Sequence, residues 1–150
     1  MQYWLMKSEP DTYSIDDLQS FGVDHWDGIR NYQVRNFFRD KMQVGDKAFF
    51  YHSNCKEPGI VGTMEIASEA YPDHTAFDPS EKYFDSKSDP ENPRWLMVDV
   101  RYLRHLDRMI TLGELRQQKQ IADMKLLQRG NRLSVLPLSK KEWQYILDME

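Results

Sequence analysis

Between residues 26 and 36 the chain reads Trp26-Asp27-Gly28-Ile29-Arg30-Asn31-Tyr32-Gln33-Val34-Arg35-Asn36, a run that mixes aromatic, carboxylate, amide and guanidinium groups. Each has a use in nucleic-acid recognition. An indole offers a flat face for stacking, Asp and Asn can pair with the polar edge of an extruded base, and guanidinium groups can hold its phosphates. The spacing alone leaves a plainer reading open, in which Trp26 is a core aromatic and Arg35 a solvated helix residue.

Other chemistries are less well supplied. Cys55 follows His52 by three residues, and a thiol near an imidazole could form a nucleophile pair. No orienting third group is identifiable, and a lone cysteine in a loop containing Pro and Gly reads as incidental. His25, His52, His74 and His105 are scattered and match no close-spaced zinc pattern. Gly59-Ile60-Val61-Gly62 lacks the Lys-Ser/Thr that would reach phosphates and magnesium, so these glycines are expected to permit a turn and close strand packing. No catalytic residue, metal or cofactor is assigned from these groups.

The elements that would position these groups follow from pattern. Tyr3 to Lys7 reads as a strand, broken by Glu9-Pro10-Asp11 before a short helix opened by Ser14 with Asp17 in a capping box. After the Trp26-Asp27-Gly28 turn, Val34, Phe37, Phe38 and Met42 recur at helical spacing and predict a helix from about Asn31 to Lys41. Lys47 to His52 and Gly59 to Ala67 predict a hairpin with a broad tip at residues 53–58. Tyr71 to Pro93, rich in Pro, Asp, Ser and Asn, predicts a long surface loop, and Trp95 to Leu106 returns to strand chemistry. Thr111 with Glu114 opens a helix, Ile121 to Gln128 predicts another stopped by Gly130, Arg132 to Leu138 a final strand, and Ser139 with Glu142 a last helix bearing Trp143, Ile146 and Leu147. Strands mixed with helices, without βαβ alternation, predict an α+β domain whose sheet curls toward a barrel.

The 150 residues, 40% hydrophobic and 13% aromatic, suit a single domain spanning 1–150 with one packed core. No apolar stretch has the length of a membrane span, no secretory signal is recognisable at the N-terminus, and Cys55 is the only thiol, so a cytoplasmic protein with no membrane partner is expected. Net charge is −4, which argues against a coat held on nucleic acid by bulk attraction. The charge is segregated, however: residues 101–141 carry ten basic groups against three acidic, and residues 1–100 carry ten against eighteen. That asymmetry fits a basic face on an acidic protein as well as it fits solvated helix faces.

Trp4-Leu5-Met6-Lys7-Ser8-Glu9-Pro10, the run from Trp26 to Asn36, and Phe50-Tyr51-His52-Ser53-Asn54 resemble signature segments of the EVE-domain family. Gly59-Ile60-Val61-Gly62, Ala70-Tyr71-Pro72-Asp73, Arg94-Trp95 through Asp99-Val100, and Arg132-Leu133-Ser134-Val135 extend the resemblance over nearly the whole chain, in order. It implies a PUA-like fold, a curled mixed sheet forming an open pseudo-barrel flanked by helices, related to the YTH domains that grip a methylated adenine in RNA. It implies as partner a nucleic acid carrying a modified base, in DNA or RNA, with a free nucleoside or other small aromatic ligand as the alternative and an enzyme of nucleic-acid modification as a remoter one. Carried over by position, Lys7 and Ser8 meet the ligand, Trp26 and Asp27 match a cage aromatic and its neighbour, and Ser53 and Asn54 border the pocket. Asn31 is a further candidate at the base, and the second cage wall falls to Phe77, Tyr83 or Phe84. Phosphate contacts are expected from Arg30, Arg35, Lys56, Arg129 and Arg132.

Overall fold

The computed structural model describes residues 1–150. Seven strands form one mixed sheet: β1 (Tyr3–Ser8), β2 (Val23–Trp26), β3 (Lys47–His52), β4 (Gly59–Ile66), β5 (Tyr71–Pro72), β6 (Leu96–Thr111) and β7 (Val135–Leu138). Their spatial order is β2-β6-β4-β3-β1-β7, with β5 paired to the start of β6. Only β1 and β3 run parallel; the other pairings are antiparallel. Four α-helices flank the sheet: α1 (Ile15–Phe21), α2 (Tyr32–Asn36), α3 (Leu112–Arg116) and α4 (Lys140–Leu147). This is the α+β class, with the open curled sheet expected from the sequence.

Curvature comes from irregular pairing. The register slips once between β3 and β4, at Phe50/Tyr51, and twice between β4 and β6. Each slip bends and further twists the ladder. They let β6, sixteen residues that would span roughly 50 Å if straight, wrap a compact domain. Gly62 sits at the tightest point: a Cβ there would overlap Cδ1 of Ile15 and lie 2.6 Å from the Arg104 carbonyl oxygen, so only glycine admits this approach of β4, β6 and α1.

The two-residue period of the strands divides the apolar residues between two cores. Trp4, Met6, Ala48, Phe50, Met64 and Ile66 point to one side, packed by Ile15 and Leu18 of α1 and by Val34, Phe38 and Met42. Leu5, Phe49, Tyr51, Leu136 and Leu138 point to the other, packed by Trp143 and Ile146 of α4.

All three expected capping boxes form, at Ser14/Asp17, Thr111/Glu114 and Ser139/Glu142. Five expectations change. The helix over 31–41 is α for only five residues and then widens into a π-turn, Phe37–Lys41, which still buries Val34, Phe38 and Met42. The segment 121–128 forms separate 3-10 turns, Lys119–Ile121 and Lys125–Leu127; Ile121, Met124 and Leu127 recur every third residue, which matches three residues per turn and not 3.6. Residues 71–93 do not all lie on the surface: β5 and a 3-10 turn at His74–Phe77 bury Asp73, Thr75 and Ala76. The late strand runs on to Thr111, and the last one begins only at Val135. No helix is long and apolar enough to cross a membrane.

Candidate functional site

The two ends of the curled sheet face each other across a cavity of about 540 Å³. From one end β2 brings Asp24, His25 and Trp26, continued by Asp27, Gly28 and Ile29; from the other, the end of β1 brings Lys7 and Ser8, and the loop before β7 brings Arg132 and Ser134. Backbone bonds hold that second side together: Lys7 N–H donates to Ser134 O at 2.8 Å and Ser53 N–H to Ser8 O at 3.0 Å, which sets Ser53 at the rim.

Trp26 is 8% exposed and packs edge-on against Phe50, ring centroids 5.4 Å apart, while another part of its surface lines the cavity. It therefore serves both as a core residue and as a cavity wall. Gly28 follows with φ +77°, a conformation that costs glycine little. A Cβ on Gly28 would come within 2.6 Å of the Tyr83 ring, so the missing side chain is what lets Tyr83 lie against this turn and line the cavity.

Tyr83 is held there from behind. Arg30 donates from Nε and Nη2 to the Tyr83 carbonyl at 2.8 and 2.6 Å, and from Nη1 to Asp73 Oδ2 at 3.0 Å. Asp73, fully buried at its carboxylate, also accepts from Gly28 N–H at 2.8 Å and from the backbone and hydroxyl of Thr75 at 2.9 and 2.6 Å. Burial alone would raise the Asp73 pKa, but the donors from Thr75, Gly28 and Arg30 together hold it below the usual carboxylate value.

The polar lining is electrostatically perturbed. Burial lowers the Lys7 pKa. Burial, and then the neighbouring Asp73 charge, raise that of Asp27. Tyr13, which donates to Asp24 at 2.6 Å, is pushed up by burial and then by that bond. Ser8 donates its hydroxyl proton to the Tyr13 carbonyl at 2.6 Å, which leaves its oxygen lone pairs directed at acceptor duty. His25 lies 3.2 Å from Asp24 and 3.4 Å from Asp27. The cavity thus offers two aromatic rings, the cations of Lys7 and Arg132, and several acceptors in a partly desolvated space.

The structure brings together Lys7, Ser8, Trp26, Asp27, Ser53, Tyr83 and Arg132 of the residues singled out in the sequence. The others lie elsewhere. Asn31 caps α2, its side chain accepting from Val34 N–H at 3.1 Å. Asn54, in a left-handed conformation at φ 51°, donates to Glu9 at 2.9 Å. Phe77 is half-buried on its 3-10 turn and Phe84 is exposed, neither lining the cavity. Arg30 is engaged with Asp73 and Tyr83, and Arg35 with Asn36, the Arg94 carbonyl and the Tyr32 ring 4.8 Å away, so both cations are occupied inside the molecule. Lys56 and Arg129 are exposed and outside the cavity. His52 accepts from Ile15 N–H at 3.2 Å through Nε2, and no bond joins it to Cys55. Tyr13, Asp24 and Ser134 are lining residues that sequence reasoning missed; the alternation in β2, which puts Asp24 on the side of Trp26, was a usable signal for one of them.

The EVE domain profile matches residues 2–149. Human thymocyte nuclear protein 1 is 46% identical over 167 aligned positions, covering 99% of this chain and 73% of the human protein. A crystal structure of a Pseudomonas syringae protein superimposes with a TM-score of 0.95 at 49% identity, covering 98% of each chain. The human protein in complex with DNA containing 5-methylcytosine superimposes with a TM-score of 0.91 at 43% identity, covering 99% of this chain and 97% of that one.

Proposed function

The chain belongs to the EVE-domain family, and from that membership we propose that it binds nucleic acid by taking one modified base, methylated or hydroxymethylated, into the cavity between Trp26 and Tyr83. The observation that carries this reading is the cavity itself. Its volume of about 540 Å³ falls in the range of roughly 300–1,000 Å³ typical of small-molecule pockets. Its aromatic walls come from elements far apart in sequence. Support comes from the human relative whose structure holds DNA containing 5-methylcytosine.

In this reading Trp26 and Tyr83 sandwich or flank the base, Lys7 donates to a ring or carbonyl acceptor, and Ser8, Asp27 and Ser53 meet the polar edge. Stacking supplies about 1–3 kcal/mol per base whatever its identity. Burying one methyl group adds about 0.8 kcal/mol, roughly fourfold in affinity, so the polar groups must supply any tighter discrimination. Extrusion of the base costs a few kcal/mol and is offset by these contacts. Lys56, Arg129 and Arg132 remain the cations for phosphates, since Arg30 and Arg35 are engaged internally.

The test is a pair of oligonucleotides differing only in the modification. Wild type is expected to bind the modified one more tightly, and Trp26→Ala to lose both that preference and at least tenfold in affinity, the equivalent of about 1.4 kcal/mol. A Trp26→Ala protein that keeps the preference would remove this residue from the site. A mononucleoside that competes as strongly as the oligonucleotide would remove the polymer.

A further inference from the structure

A second concavity, of about 400 Å³, runs beside the base cavity and shares Arg132 with it. Its lining has the opposite electrostatic character. Glu9, Asp24 and Asp27 line the base cavity, whereas no carboxylate lines this groove, which carries Lys125 and Arg132. The ion pairs of the molecule that involve Lys or Arg are made by Arg30, Arg39, Lys47, Arg94, Arg104 and Arg108, so neither groove cation is neutralised.

The amides point the same way. Asn31 and Asn131 each spend the side-chain oxygen on a backbone N–H, of Val34 at 3.1 Å and of Leu133 at 3.0 Å. Their NH2 groups are left as donors beside the two cations. Gln128 is the exception, its NH2 donating to the Asp123 carbonyl at 3.1 Å and its oxygen left to accept. Two cations, two free amide NH2 groups and no carboxylate still favour a group that only accepts, and phosphodiester oxygens are such a group.

We propose that this groove holds the phosphodiester linkage adjoining the base in the cavity, so that the protein reads a strand segment and not an isolated base. The proposal rests on the base-cavity reading for its geometry: a strand advances only roughly 3.4 Å per nucleotide along a duplex, so the linkage next to an extruded base stays close to the cavity mouth. Arg132, at the rim common to both hollows, contacts the strand as it passes from one to the other, and Lys125 meets the phosphate beyond.

The experiment uses a DNA duplex with a single 5-methylcytosine, in which the linkages around that base are replaced one at a time by uncharged methylphosphonates. Neutralising one linkage is expected to weaken wild-type binding about tenfold, as loss of a charge-assisted hydrogen bond does. Lys125→Gln is expected to weaken binding of the native duplex by a similar factor, to make the salt slope shallower by about 0.9, and to show no further loss with that methylphosphonate. Lys125→Arg should restore most of the affinity. Lys125 is exposed, so folding is not at stake. Equal methylphosphonate losses in wild type and Lys125→Gln, or no linkage that matters, would overturn the groove assignment. Displacement of the duplex by inorganic phosphate at constant ionic strength would assign the groove to a free anion instead and overturn it equally. The ratio of methylated to unmethylated affinity reports the base cavity separately: a ratio of one with the charge coupling intact defeats only the base reading, and a preserved ratio without coupling defeats only the groove.

Discussion

At the residue scale, one missing side chain sets the width of the site. Gly28 combines φ +77° with a Tyr83 ring 2.6 Å from where a Cβ would stand. Gly28→Ala therefore incurs both backbone strain, costing more than about 1 kcal/mol, and displacement of the Tyr83 ring. The expected outcome is a lower denaturant midpoint together with weaker binding of a modified oligonucleotide. Gly28→Ala/Tyr83→Ala separates the two: it removes the clash but not the strain, so it should recover part of the stability loss while binding stays weak. Full recovery of binding in the double variant would exclude Tyr83 as a wall. The position of Trp26 at the cavity was expected from the family resemblance and not from its local spacing, which suits a core aromatic equally well, and Trp26 packs on Phe50 as well as lining the cavity. Tyr83 could not be told from Phe77 or Phe84, since a segment without periodicity does not show which of its aromatics faces inward. The internal partners of Arg30 and Arg35 were hidden for a related reason. Sequence displays a charge but hides its partner, and the carboxylate that engages Arg30 lies 43 residues away.

At the element scale, the site depends on how a long segment of little regular structure is fastened to the turn after β2. Asp73 is the fastening: it accepts from Gly28 and Thr75 and pairs with Arg30, which in turn grips the Tyr83 carbonyl. Because its folded pKa is held below the ordinary value of 3.8, the carboxylate contributes stability that is fully present above that value and is lost as pH falls through the folded one. Asp73→Asn, which keeps the shape and loses the charge, should cost about 1.5–3 kcal/mol near pH 7, the scale of hydrogen bonds to a charged group. That difference should shrink toward zero as wild-type Asp73 protonates in acid. Urea unfolding of both proteins across this pH range measures it, and a gap that does not change with pH would mean the charge is not what matters. Elements with local codes were readable in advance, among them the three capping boxes and the hairpin of β3 and β4. The register slips that extend β6 to Thr111 were not, because they depend on which residues of β4 lie opposite.

On the scale of the whole molecule, the sheet separates the work of stability from that of the site. Phe49 and Phe50 are adjacent in β3 and both are fully buried, yet they serve different cores. Phe49 stacks on Trp143 of α4 with centroids 4.0 Å apart, on the side away from the cavity. Phe50 supports Trp26 edge-on, and Trp26 lines the cavity. Phe49→Leu and Phe50→Leu remove similar buried volume, so each should destabilise the fold on the order of 1–3 kcal/mol. Their effects on binding should differ. With Phe50 shortened, the indole loses the partner that fixes its orientation, and the preference for a modified oligonucleotide should fall while Phe49→Leu leaves it at the wild-type level, both measured well below the unfolding transition. Equal losses in the two variants would mean that binding follows global stability and that the indole is not held from behind by β3. The same division explains why a strand with four consecutive buried residues, Ala48 to Tyr51, is needed at this place in the sheet: one alternate set of side chains anchors α4, and the other anchors the wall of the cavity.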